Sequence, residues 1–139
     1  AAGKAVHGLE SIDFQIGLLL GAPLTTQASD LLEMCKRDSV YATASAEICS
    51  AYERQDLDRL LQLMEDEECA GDSREAQRLI YDRNSRWAAM LPAAMAQGPV
   101  LVCVGAGHLP GAKGLLALLR GQGFTVAPFA GANNAGEGQ

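Results

Sequence analysis

Apolar positions recur at helical spacing along most of this chain and give way to short apolar runs only near its end. Ser11 opens a segment with Ile12, Ile16, Leu19 and Leu20 on one face, and Gly21 and Pro23 close it. A hydroxyl that caps the first turn and a glycine–proline exit predict a short amphipathic helix. A second helix is predicted from about Thr25 to Arg37, with Leu31, Leu32 and Met34 as its apolar positions. A third follows over 39–55 and a fourth, acidic at its end, over 56–68. "CAGDS" breaks the pattern. Asp72 followed by Glu75 then fits a capping box, and a long helix is predicted to about Ala96. Pro92 falls inside it and should kink or perturb it, because proline has no N–H to give the helix.

The period then changes. "GPVLVCVG" (98–105) is apolar and β-branched between glycines, which predicts a buried strand. "PGAKGLLALLRGQG" reads as a helix closed by glycine, and "FTVAPF" as a final strand. "GKAVHGLE" (3–10) reads as a short strand running into a loop. Strand, helix and strand in succession imply parallel strands joined by a right-handed crossover. The expected fold is therefore α/β, with a small, mostly parallel sheet, a C-terminal β-α-β unit and a largely helical middle portion. "AGANNAGEGQ" (130–139) is of low complexity and is expected to be a disordered tail.

Composition adds limits. The chain has 139 residues, enough for one domain with a modest core. Its formal net charge of -6 argues against a general nucleic-acid binder. No apolar run approaches the roughly 20 residues that span a bilayer. "AAGKAVHGLESID" has no initiating methionine and no basic-then-apolar leader, so the chain reads as an internal part of a longer product. Among the cysteines, Cys103 lies in an apolar run and reads as a core thiol, whereas Cys35, Cys49 and Cys69 sit in polar sequence. Export would allow one disulfide among those three without choosing the pair. No C-x-x-C is present, which excludes zinc-ribbon and thioredoxin motifs. "MEDEE" (64–68) lacks the spacing of a calcium-binding loop and reads as a solvated helix end.

The chemistry concentrates in "VGAGHLPGAKG". A dinucleotide fingerprint would need a third glycine where Pro110 stands and an acid at the end of the following strand, which reads "TVAPF". A phosphate-binding loop would need a glycine at Ala112 and a hydroxyl at Gly114. Both are rejected. What remains is His108, expected at the carboxyl end of a parallel strand and beside a helix N-terminus, which favours neutral imidazole, the form that binds metal. Two roles stay open: a ligand or catalytic group, or a histidine that caps the loop by hydrogen bonding. On the long helix, Arg83 and Asn84 fall within the apolar stripe of Ala76, Ile80, Trp87, Leu91 and Ala94. A charge and an amide on a buried face are costly unless paired. They read either as a structural ion pair, with Glu10 as the partner, or as groups that orient a carboxylate or substrate beside the His108 loop.

The same residues resemble a known family. "LVCVGAGHLPGAKGLLALLRGQGFTVAPF" is similar to the C-terminal signature of the TraB/GumN family, which includes the TIKI proteins, with Gly105, Ala106, Gly107 and His108 as its G-x-x-H. "GKAVHGLESIDFQIGLL" is similar to another family segment, with Glu10 at its acidic position and Gln15 at its glutamine. "LIYDRNSRWAAMLP" is similar to the family's ERN helix at Arg83 and Asn84. The resemblance implies the C-terminal half of such a domain over 1–129, with a second G-x-x-H upstream of Ala1. It implies a metal-dependent hydrolase, with peptidases among its relatives, and a cell-envelope location, periplasmic or exported. The cofactor implied for the full-length protein is a divalent transition metal such as zinc, manganese or cobalt. His108 would be a ligand, Glu10 a ligand or general base, and Arg83 and Asn84 polar supports. Gly105, Gly107, Gly111 and Gln15 would shape the binding loop. The partner implied is a peptide or other small envelope substrate, and the rival role is a non-enzymatic envelope protein that sequesters a peptide or glycan. His7 stands where the family has an apolar residue and reads as an ordinary surface histidine. Lacking its other half, the chain is expected to expose a sheet edge, through which copies would associate.

Overall fold

A computed structural model of the chain describes residues 3, 5–66 and 76–129. The first helix, α1 (Ile12–Leu20), begins as predicted: the Ser11 hydroxyl accepts the Phe14 N–H at 3.1 Å, and Gly21 ends the helix. α2 (Leu24–Lys36) and α3 (Asp38–Glu53) follow almost without a break. α4 (Leu57–Glu65) is capped by Asp56, whose carboxylate accepts the Arg59 N–H at 2.9 Å. A salt bridge from Arg59 to Glu47 ties α4 back to α3. The long helix enters through a π-helical turn, Gln77–Tyr81, and continues as α5 (Asp82–Met95). A 3₁₀ turn, Ala106–His108, and the short α6 (Leu115–Gly121) complete the described elements. The expected capping box at Asp72 and Glu75 and the expected tail at 130–139 lie outside the described residues, as does Cys69.

Pro92 lies within α5, and its missing N–H leaves the Ala88 carbonyl without the usual partner one turn on. The Gln122 side chain, from the end of α6, donates to that carbonyl at 3.1 Å. The proline thus creates the acceptor through which α6 docks.

The α/β expectation is overturned: the described residues form helices and no strand or sheet. The segments at 98–105 and 124–129 keep the period of an extended chain, with Val102 and Val104 turned inward and Leu101 and Cys103 outward. Phe124 and Val126 likewise pack on the core. Neither segment has a neighbour in hydrogen-bonding register among the described residues, and a strand exists only in a ladder. The apolar run therefore marked neither the inward face, since Cys103 on it points outward, nor a partner. The segment at 3–10 is irregular as well. The described residues present no sheet edge, and what lies open is unpaired main chain beside Leu101, which is 91% exposed. Cys103 is exposed, not a core thiol, and Cys35 and Cys49 are exposed free thiols.

The principal core joins α5 to α6. Trp87, Ala88 and Leu91 meet Leu115 and Leu119, and Leu9, Val102, Val104, Phe124 and Val126 cover them. A second cluster, Ala51, Leu60 and Leu63, joins α3 to α4 and extends to Ala106. The 3₁₀ turn that carries His108 is therefore held between the two cores. No helix among the described residues is long and apolar enough to cross a membrane.

Candidate functional site

Arg83, Asn84, Trp87 and Leu91 share one face of α5, because positions three and four apart in a helix lie one above another. Trp87 is the floor of the site. The Arg83 guanidinium lies over its ring at 4.8 Å, and the His108 ring meets it at 4.6 Å with a 47° tilt. Both contacts are favourable, the first because a cation is drawn to the electron-rich ring face.

Arg83 is anchored from three sides. Its Nε donates to both Glu10 oxygens at 3.1 and 3.0 Å, and its Nη2 lies 2.9 Å from Glu10 Oε2. Its Nη1 donates to the Leu79 carbonyl at 3.0 Å, within the π-helical turn. Gln15 reaches the same carboxylate at 3.5 Å. The Glu10 side chain is only 6% exposed. Burial alone would push its carboxyl up, but the hydrogen bond and charge of Arg83, helped by Gln15 and Arg86, hold it below the ordinary value. The pair joins the segment before α1 to α5 and is an ion pair of the kind anticipated between these two residues.

Asn84 has no exposed surface. Its amide nitrogen donates to the His108 carbonyl at 3.1 Å and to the Lys113 carbonyl at 2.9 Å. Its amide oxygen lies 2.7 Å from His108 Nδ1. One side chain thus fixes both ends of the loop and the ring inside it. His108 is 7% exposed. Burial, then the Arg83 charge, hold its pKa below the ordinary histidine value, with Glu10 opposing weakly, so the imidazole is neutral at physiological pH.

A side chain at Gly107 would meet the Met64 sulfur at 3.1 Å, and Gly111, at φ +81°, faces Leu61. They let the loop pack against α4. Gly105 sits 3.8 Å from the His108 ring by the same measure. Gly114, absent from the residues expected to matter, faces the Leu109 and Pro110 carbonyls too closely for any side chain.

The structure thus brings Glu10, Gln15, Arg83, Asn84 and His108 to one place and leaves His7 exposed outside it. Trp87 was read only as a core residue. Its spacing of three and four residues from Asn84 and Arg83 was the available signal that it borders the site. Its indole N–H is the one buried side-chain donor without a partner among the described residues. The expected setting of His108 changes too. The histidine stands on a 3₁₀ turn, not at the end of a parallel strand, and α6 begins only at Leu115.

The three segments that meet at Trp87 are those that carry the sequence resemblance. A model of the TraB/PrgY/gumN family matches residues 1–128. The chain belongs to the TraB/PrgY/gumN family. No curated protein and no solved structure matches it. In this TraB-family chain Glu10 pairs with Arg83 and Asn84 with His108, and the two polar pairs meet at Trp87 in an otherwise apolar core. A cavity of about 360 Å³ lies on the far side of the loop, lined by Leu57, Leu109, Pro110, Leu116, Arg120 and Val126 among others.

Proposed function

We propose that this chain carries the histidine arm of a hydrolytic site, with peptides as the first substrate class to test. The observation behind this reading is the buried, neutral imidazole of His108, held by Asn84 through one ring nitrogen, with the other unpartnered among the described residues. A neutral imidazole nitrogen can accept a proton from an attacking water or bind a metal. Arg83 and Glu10 neutralise each other and brace α5 against the start of α1. The reading includes an envelope location, as family resemblance implies.

A divalent transition metal such as zinc, manganese or cobalt is part of the implied chemistry. His108 fits as one ligand. Glu10 does not, because both of its oxygens are taken by Arg83, which places a positive charge where a metal would stand. Such ions want about three protein ligands and an open position. No group of three His, Cys, Asp or Glu side chains converges among the described residues. These residues do not make a metal site by themselves. Further donors have to come from outside the described residues.

A binding-only role has its own support in the largely apolar cavity beside the loop, whose wall also carries Arg120 and Asp58. Calorimetric titration with zinc, manganese and cobalt, together with a peptide-hydrolysis panel, separates the readings. We expect weak metal uptake that disappears in His108→Ala. Equal uptake and equal hydrolysis by the two proteins would overturn the hydrolytic reading and leave the binding role.

A further inference from the structure

Asn84 decides more than the position of the loop. Its nitrogen faces two carbonyl oxygens, those of His108 and Lys113. Carbonyl oxygens only accept, so the atom facing them must be the amide NH₂, which donates. The opposite orientation would set an oxygen lone pair against two carbonyls around a side chain with no exposed surface, leaving buried polar groups unmet. The atom 2.7 Å from His108 Nδ1 is therefore the amide oxygen, itself an acceptor. A hydrogen bond at that distance requires the proton to sit on the ring nitrogen. In a neutral imidazole only one nitrogen carries a proton.

We propose that Asn84 is a positioning residue that locks His108 as the Nδ1–H tautomer and so reserves the Nε2 lone pair for the chemistry of the site. Among the described residues Nε2 has no hydrogen-bond partner, and it is not among the fully enclosed unpartnered atoms, where the Trp87 indole nitrogen stands. Trp87, packed on the ring, fixes its plane. The loop and the tautomer are set by one amide, so α5 delivers both the place of the histidine and the atom it presents. This is the role that a carbonyl or carboxylate plays behind many ligating histidines. The proton on Nδ1 stands on the geometry and the bare Nε2 on that geometry in a neutral ring; its use as base or ligand rests on the hydrolytic reading.

The test is the nitrogen NMR signature of the His108 ring in the full chain, with His7→Ala to assign the signals. A pyrrole-like Nδ1 and a pyridine-like Nε2 are expected. The reverse pattern, or averaged shifts from two tautomers, overturns the proposal. Asn84→Asp keeps an acceptor at Nδ1 and should keep the proton there, at a cost in stability because its second oxygen faces the His108 and Lys113 carbonyls, whereas Asn84→Ala should release the Nε2–H form. A folded Asn84→Ala protein with the original signature would show that something else sets the tautomer. Should either variant fail to fold, the unmodified chain still decides the protonation pattern. Zinc added to that chain separates the two ideas: a fixed tautomer with an Nε2 signal indifferent to zinc defeats the metal part of the hydrolytic reading and leaves this inference standing.

Discussion

Helices α1 and α5 carry similar sequence signals and meet different fates. Both show apolar residues at helical spacing. In α5 the apolar face closes over α6, and Trp87, Ala88 and Leu91 are almost wholly buried. In α1 only Leu18 is buried, while the anticipated face of Ile12, Ile16, Leu19 and Leu20 stays at least half exposed. α2 buries no residue at all. Periodicity therefore fixes which side of a helix is apolar, and topology fixes whether anything lies on it. The polar residues sort the same way. Those of α5 that sit inside the stripe are satisfied by partners distant in sequence, Glu10 for Arg83 and His108 for Asn84.

The largest expected effect lies at the centre of the ordered region. Trp87→Ala removes the floor under Arg83 and His108 and opens the main core. Large aromatic truncations in cores cost about 3–5 kcal/mol. Urea unfolding of the full chain measures it, and a loss of the size seen at surface sites would mean that the α5–α6 contact contributes little. The unpartnered indole N–H moderates the loss slightly, since its removal relieves a buried donor.

Much of this region was legible in the chain. Ser11 as a cap, the end of the first helix and the inward turn of the Arg83 and Asn84 stripe all follow from local spacing. The pairing of Arg83 with Glu10 was open to inference because a buried charge needs a counter-charge. The strands were not, and for a definite reason. Val102 and Val104, like Phe124 and Val126, alternate as strand residues do, yet a strand is defined by a second backbone, which no local pattern encodes. The contacts of the loop glycines were hidden for a related reason. Gly107 and Gly111 look like a ligand cradle in sequence, and their need is set by Met64 and Leu61 on a helix more than forty positions earlier in the chain.

A second test uses pH to separate the two regions, with a smaller effect than the tryptophan truncation. His108 holds its proton less well folded than unfolded. As pH falls through the ordinary value of 6.5, the unfolded chain takes up the proton first, so stability drops until the folded ring is protonated as well. Glu10 is held below 4.5, so the stability its charge supplies is present above that value and is lost as pH falls through the lower, folded one. Unfolding followed from neutral to acid pH should show both losses. His108→Gln should abolish the upper one, and its persistence in that variant would detach it from this site.

The smallest effect is expected on α2, which buries no residue. Leu31 and Leu32 of α2 are 60% and 55% exposed. Replacing either by serine removes little buried apolar area, and substitutions at such surfaces usually change stability by less than about 0.5 kcal/mol. A near-zero result would establish that α2 is held by its backbone and its short links to α1 and α3, not by side-chain burial. A loss of about 2 kcal/mol or more, of the order of a buried leucine, would mean that something covers this face in solution. Repeating the unfolding at several protein concentrations then identifies the cover. A midpoint that rises with concentration points to a second copy of the chain. A midpoint that does not rise points to a fold-back contact within one molecule, and the contrast between α2 and α5 would then be one of partner, not of burial.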